Sequence, residues 1–223
     1  MRKSFFQAVL CALLVIATTS VAWAFKFSDE DGKTEAEASA KAQRIAELAS
    51  TPCGAKLKGQ SIMTVIAERS GNGYNTTQSR YGQHFQAINR RLRALGLRTY
   101  TQEEIRAKIA QAELDAYFRN DPDAALNAAK KLGANYILRG LISAQSGINP
   151  VLRINEVAVN MGFTLTAANG RILSDTGARS ESYSGTDTLG MALTLVNEEA
   201  DEVVAKLYSD YCRSADAKAK SKK

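Results

Sequence analysis

Residues 157–177 read VAVNMGFTLTAANGRILSDTG. Val157, Val159, Met161, Phe163 and Leu165 alternate there with Ala158, Asn160, Gly162, Thr164 and Thr166. A period of two places the first set on one face of a strand and the small or polar set on the other. Asn169 and Gly170 favour the positive φ of a tight hairpin turn, so Ile172 to Tyr183 is predicted to return as the partner strand. The stretch therefore predicts an exterior hairpin of a sheet covered on one face.

Upstream, NYILRGLIS (residues 135–143) is a further strand, and AQSGINP is predicted to lead away from it as a loop. Downstream, Leu189, Leu193, Val196, Ala200, Val203, Leu207 and Tyr211 recur at helical spacing. They predict a long amphipathic helix that ends at Cys212 and lies across the covered face of the sheet. In NDPDAALNAAKKLG, Asp121 is placed as an N-cap, Pro122 at the first helical position and Gly133 as the stop. Asp121 and Asp123 are accordingly helix-start residues rather than catalytic carboxylates.

The earlier chain supplies the remaining elements. EAEASAKAQRIAELA (residues 35–49) is rich in strong helix formers, with Ile45 and Leu48 its only large apolar side chains, and predicts a weakly packed lead-in helix. SIMTVIAE (residues 61–68) suits a buried strand, which the polar stretch RSGNGYNTTQSRYG then breaks. Phe85, Ile88, Leu92 and Leu95 share one face of a helix whose Arg90, Arg91 and Arg93 point mostly away and which Gly96 ends. After the short segment LRTY, Thr101 and Glu104 have the spacing of a capping box ahead of Ile105, Ile109 and Leu114. The predicted order is helix, strand, helix, strand, helix, helix, strand, strand, strand, helix. It describes an α/β fold, a single mixed sheet flanked by helices, with a C-terminal antiparallel hairpin and a long C-terminal helix.

No catalytic or metal-binding pattern stands out. The single histidine, His84, opens an amphipathic helix, where a helix-terminal or surface role is expected ahead of a metal ligand or general base. G-x-S-x-G and H-E-x-x-H are absent and the cysteines lack zinc-site spacing. SGNGY follows a strand and precedes a helix, but it lacks the third glycine of a dinucleotide loop and the Gly-Lys-Ser/Thr of a P-loop, so it reads as a mobile polar loop. Glu198, Glu199, Asp201 and Glu202 form the solvated side of the last helix. Asn75 in NTT fits the N-glycosylation acceptor pattern, which would carry meaning only in a host that glycosylates such sites. No cofactor is expected.

The termini point to export. Residues 1–24, MRKSFFQAVLCALLVIATTSVAWA, combine Arg2 and Lys3, an apolar run from Phe5 to Ala17 and small residues Ala22 and Ala24. That is a signal-peptide pattern with cleavage near Ala24, and its apolar run is short for a membrane span. Position 25 is Phe rather than a lipid-accepting cysteine, which disfavours a lipid anchor. Removing the segment takes away Arg2 and Lys3 and no acid, so the formal charge falls from +6 to +4. Two cysteines then remain, Cys53 and Cys212, and an oxidising compartment favours pairing them, the alternative being two unrelated buried thiols. The lysine-rich residues 213–223 have no apolar residue larger than alanine and are predicted to form a disordered basic tail, either solubilising or attracted to anionic envelope polymers or lipid. Basic and aromatic residues are not interleaved as in a single-strand binder, so no nucleic-acid partner is expected.

LGANYILRGLIS followed by VAVNMGFTLTAANGRILSDTGARSESYSG, with IMTVIAE in the place of a first core strand, resembles the CsgG-like group of bacterial envelope proteins. That group includes the curli secretion channel subunit, the lipoprotein activators of penicillin-binding proteins (LpoB) and the middle domain of flagellar assembly protein T. The match covers most of residues 55–211 and is one of pattern, without an invariant motif. It implies a mixed sheet flanked by helices and an adaptor or assembly function, and it supplies no catalytic residues. The missing lipid-attachment cysteine and the lack of extra amphipathic hairpins set anchoring and pore formation aside.

The domain layout expected is a signal peptide (1–24), a helical lead-in (25–54), the α/β domain (55–212) and the tail (213–223). The leading functional expectation is a soluble periplasmic, non-enzymatic adaptor or assembly factor that binds an envelope protein. Its contact surface is expected in the loop from Arg69 to Arg80, with Arg69, Asn72, Tyr74, Arg80 and Tyr81 as contact residues. The alternative is binding of an anionic cell-wall polymer or lipid surface by the basic tail and the Arg90 to Arg98 helix face. An enzyme whose site is assembled from residues not linked in sequence remains a third reading.

Overall fold

Helix α1 (Ser28–Ala49) begins the part of the chain that the computed structural model describes, residues 28–148, 150, 151, 153, 155–182 and 187–220. Residues 1–27, which include the stretch read as a signal peptide, and Tyr183 lie outside it. The chain divides into two compact units, residues 1–40 and 41–223, and the described part of the first is the opening of α1.

The second unit is organised around β1 (Ser61–Ser70), which follows the single-turn helix α2 (Gly54–Leu57). Residues 61 to 67 of β1 are buried on both faces, as an inner strand covered on two sides must be. A turn leads to β2 (Gly73–Asn75), a 3-10 turn (Gln78–Tyr81), α3 (Gly82–Ala94) and β3 (Arg98–Thr99). Three helices follow, α4 (Gln102–Lys108), α5 (Gln111–Phe118) and α6 (Pro122–Leu132). The strands β4 (Tyr136–Ile148), β5 (Asn155–Ala167) and β6 (Ile172–Ser182) and the helix α7 (Thr188–Lys220) complete the order. The sheet runs β2-β1-β4-β5-β6, with β3 alongside the start of β1. β1 and β4 are parallel from Ile62↔Tyr136 to Glu68↔Ile142, whereas β4, β5 and β6 form an antiparallel meander. This is the mixed α/β sheet expected.

Alternation assigns the two faces. Val159, Met161, Phe163 and Leu165 of β5 turn toward α7, where Ala192, Leu195, Val196, Ala200, Val203 and Leu207 are buried. Removing such large apolar side chains from water contributes about 1.5–3 kcal/mol each. Leu195, three residues after Ala192 and so on the same face, is buried, whereas Leu193 is half-buried. The opposite face is also covered. Tyr117 of α5 and Ala125 of α6 lie over Arg139, Thr164 and Thr166, and both threonines are buried. The sheet is thus covered on two sides where α5 and α6 lie over β4 and β5.

Several local expectations hold in atomic detail. Thr101 and Glu104 form the capping box, Asp121 accepts from the N–H groups of Asp123 and Ala124, and Gly133 caps α6 at φ 70°. At the hairpin Gly170 alone is left-handed, at φ 84°; its N–H donates to Ala167 O, and the Ala167 N–H donates to Arg171 O. Asn169 does not take the positive φ expected of it, and the single left-handed glycine closes a three-residue loop between the strands.

Other expectations are corrected. The helix from Thr101 is broken at Ile109 and Ala110, where extended backbone buries Ile109 and Glu113 caps the Ala110 N–H. AQSGINP is mostly strand, since Ala144 to Ile148 pair with Val159 to Asn155 and so satisfy their backbone groups. The last helix runs past Cys212 to Lys220, through residues predicted to be disordered; alternating alanine favours helix, and Arg213 pairs with Asp210 at its entry. Residues 221–223 lie outside the described residues. The acidic side of α7 is not merely solvated: Glu199 pairs with Lys41, Glu202 with Arg44 and Asp201 with Arg91. Arg91 therefore reaches α7, while Arg90 and Arg93 are exposed.

Candidate partner-binding surface

The stretch read as a mobile polar loop is an ordered hairpin. Gly71, at φ 55°, makes the turn, and Glu68↔Asn75, Arg69↔Tyr74 and Ser70↔Gly73 pair across it. The edge of β1 facing this hairpin has β3 at its start and β2 at its end. Between them the Gln78 side chain takes the place of a strand: its Oε1 accepts from the Ile66 N–H at 3.0 Å and its Nε2 donates to Ile66 O at 2.8 Å. The same Nε2 donates to Thr76 O at 2.6 Å. Below the hairpin, Thr76 and Gln111 both donate to Asp115, which holds that carboxyl below its usual range.

The five contact residues expected from the sequence separate on this frame. Arg69 is exposed with its guanidinium 5.9 Å from the centre of the Tyr74 ring. Tyr74 is half-buried, 6.4 Å from Phe118 between ring centres, so one face of its ring belongs to the core. Asn72 is exposed at the turn, and Arg80 is exposed and 3.5 Å from the Glu68 carboxylate. Tyr81 is different: it is fully buried, donates to Asn75 O at 2.8 Å, and burial pushes its hydroxyl up to about 12. It braces the hairpin and offers no surface for a partner. The signal was in the sequence, because Tyr81 lies four residues before Phe85 and extends the apolar stripe of α3.

His84 lies in the first turn of α3, as expected, but is buried and not at the surface. Its Nε2 lies 3.1 Å from Leu189 O, which fixes the Nε2–H tautomer, and Nδ1 is buried without a partner. Burial lowers the pKa of the ring, which is neutral near pH 7. A histidine enclosed in this way joins α3 to α7 and has no path to a substrate. Among the described residues no cluster of histidine, cysteine, aspartate or glutamate could hold a metal ion, and no helix is long and apolar enough to cross a membrane.

Cys53 and Cys212 are bonded to each other, with Cα atoms 5.7 Å apart. A second polar surface lies between α3 and α7, an open depression of about 380 Å³ bordered by Gln83, Gln86, Arg90, Arg93 and Asn197.

Fold and surface together define a mixed-sheet α/β protein whose hairpin presents exposed arginines beside a half-buried tyrosine. No protein-family model matches the chain, and no curated protein matches it. Solved structures are similar in outline. A PelC dodecamer from Paraburkholderia phytofirmans is 16% identical, with 68% of this chain and 88% of that one covered and a TM-score of 0.38. Lipoprotein GNA1162 from Neisseria meningitidis is 16% identical, over 64% of this chain and 99% of that one, at a TM-score of 0.40. The LpoB C-terminal domain from Escherichia coli is 15% identical, over 60% and 96%, at a TM-score of 0.34. LpoB is a member of the group that the sequence resembles.

Proposed function

We propose that this protein is a non-enzymatic periplasmic adaptor or assembly factor that binds another envelope protein through the hairpin from Glu68 to Tyr81. The observation that carries the reading is the clamped display of Arg69 over Tyr74 at the end of the sheet. Such a pair combines a half-buried aromatic anchor with an exposed guanidinium, the two side-chain types that dominate binding hot spots. Gln78 and Tyr81 hold it in place, so little ordering is left to be done on association.

The test is a photo-crosslinking residue at Asn72, at the exposed turn, in the native host. One dominant envelope-protein adduct is expected, reduced when Arg69→Glu and Arg80→Glu are combined in a chain whose folding is unchanged. Adduct formation indifferent to the charge reversal moves the interface elsewhere.

The depression beside Arg90 and Arg93 supports a second reading, contact with an anionic cell-wall polymer or lipid surface. Arg90→Glu with Arg93→Glu, alongside deletion of residues 213–223, then abolishes sedimentation with envelope material. The adaptor reading leaves sedimentation nearly unchanged.

A further inference from the structure

On the sheet face opposite α7, the corner between α5 and α6 leaves an open pocket of about 180 Å³ over β4, β5 and the start of β6. Two of its groups have unspent hydrogen-bonding capacity. The Tyr117 side chain is buried, with 7% of its surface exposed, yet its hydroxyl makes no hydrogen bond. Thr166 stands near enough to weigh on that hydroxyl's pKa without meeting it in hydrogen-bond geometry, and burial keeps the group protonated, pushed up to about 12. An orphaned buried hydroxyl costs free energy unless a ligand or water meets it.

The second group is Arg139, which projects from β4 with its guanidinium 5.7 Å from the centre of the Tyr117 ring. Its Nη1 donates to Asn120 Oδ1 at 3.1 Å, and Asn120 holds that position through a left-handed backbone, φ 67°. Among the described residues no carboxylate pairs with Arg139. Asp121 also lines the pocket, but its Oδ1 is occupied by the N–H groups of Asp123 and Ala124.

We propose that this pocket binds the terminal carboxylate of a peptide, with Arg139 and the Tyr117 hydroxyl as its donors. A guanidinium tethered through Nη1 to Asn120 keeps its remaining N–H groups for a planar carboxylate, a match that a phosphate shares less closely. The charge also selects. Arg139 and the Asp121 carboxylate beside it together carry no net charge, so a ligand is held by direct contact with the guanidinium, and a dianion is disfavoured relative to a single carboxylate. The apolar rim suits an amino-acid side chain: Ile172, 63% exposed, stands at the mouth with Ala125 and Gly170. Ile172 opens β6, the last strand of the sheet, whose outer edge no described strand pairs. An extended peptide entering along that edge could add main-chain hydrogen bonds to the anchored end.

The pocket is independent of the hairpin, so the two proposals fail separately. The measurement is titration of the full mature chain with acetyl-Ala-Ala as its free acid and as its amide, followed by amide NMR shifts. The free acid is expected to give saturable shifts at Asn120, Arg139, Thr166 and Gly170, and the amide none. Arg139→Met weakens binding about tenfold, the loss expected when a charge-assisted hydrogen bond goes. Tyr117→Phe, which keeps the ring and its packing, weakens it about fivefold. The proposal is overturned by equal binding of the amide, by acetate or inorganic phosphate binding as well as the free acid, by no saturable shift, or by a Tyr117→Phe chain that binds like the parent.

Discussion

His84 shows what one residue's surroundings decide. Its ring is enclosed between α3 and α7, with Nε2–H on a backbone carbonyl, and burial lowers its pKa in the folded chain. In the unfolded chain it titrates near its ordinary 6.5. The unfolded state therefore binds the extra proton first as pH falls, and linkage fixes the sign. The contribution of neutral His84 is complete above about pH 6.5 and is lost as pH drops from there toward the lower folded pKa. Thermal unfolding scans from about pH 7 to about pH 5.5 are expected to show a falling Tm, with a flatter profile for His84→Gln. An equal slope in both chains assigns the effect to other groups. The burial was legible, since His84 lies four residues before Ile88 on the apolar side of α3, but a polar residue in a stripe reads as its boundary. Arg139 and Tyr117 lay beyond sequence reasoning, because they come from a strand and a helix that only the fold brings together.

At the scale of elements, legibility followed periodicity. The alternation in β5 and the helical spacing in α3 and α7 announced their buried faces, because each face meets a continuous apolar neighbour. The Glu68–Tyr81 hairpin had no such signature. It is held by a side-chain amide that imitates a strand, and nothing periodic distinguishes Gln78 from other polar residues nearby. For the same reason Tyr81 was placed on the expected contact surface, whereas the structure buries it. The latch makes a specific prediction. Gln78→Leu leaves the buried Ile66 N–H and C=O unpaired, at a cost of about 1–3 kcal/mol. Hydrogen exchange should then speed up at Ile66 and across β2, while the β4–β5–β6 meander, paired through its own backbone, keeps its protection. Uniform acceleration throughout the sheet would mean that Gln78 supports the whole fold instead of one hairpin.

At the scale of the molecule, the disulfide joins residues 159 positions apart, from the start of the α/β domain to the far part of the last helix. Its surroundings reinforce the junction: Tyr208 accepts from the Cys53 N–H and donates to Thr51 O, so α7 is pinned to the segment ahead of β1 by covalent and polar links together. The covalent link acts mainly on the unfolded chain, whose freedom it reduces by closing nearly the whole domain into a loop. The chain-entropy model assigns about 5 kcal/mol to a closure of this length, as an upper figure. For a domain of this size that corresponds to a fall in Tm of about 10–20 °C on reduction. Cys53→Ala with Cys212→Ala should reproduce the fall without a reductant and abolish the sensitivity of Tm to dithiothreitol. The double substitution also leaves a cavity, whereas reduction does not, so the excess loss in the variant measures packing at the bridge. A reduced chain that melts with the oxidised one would show that Tyr208 and the α7 stripe already restrict the ends, and that the bridge adds resistance to unfolding rates instead of to equilibrium stability.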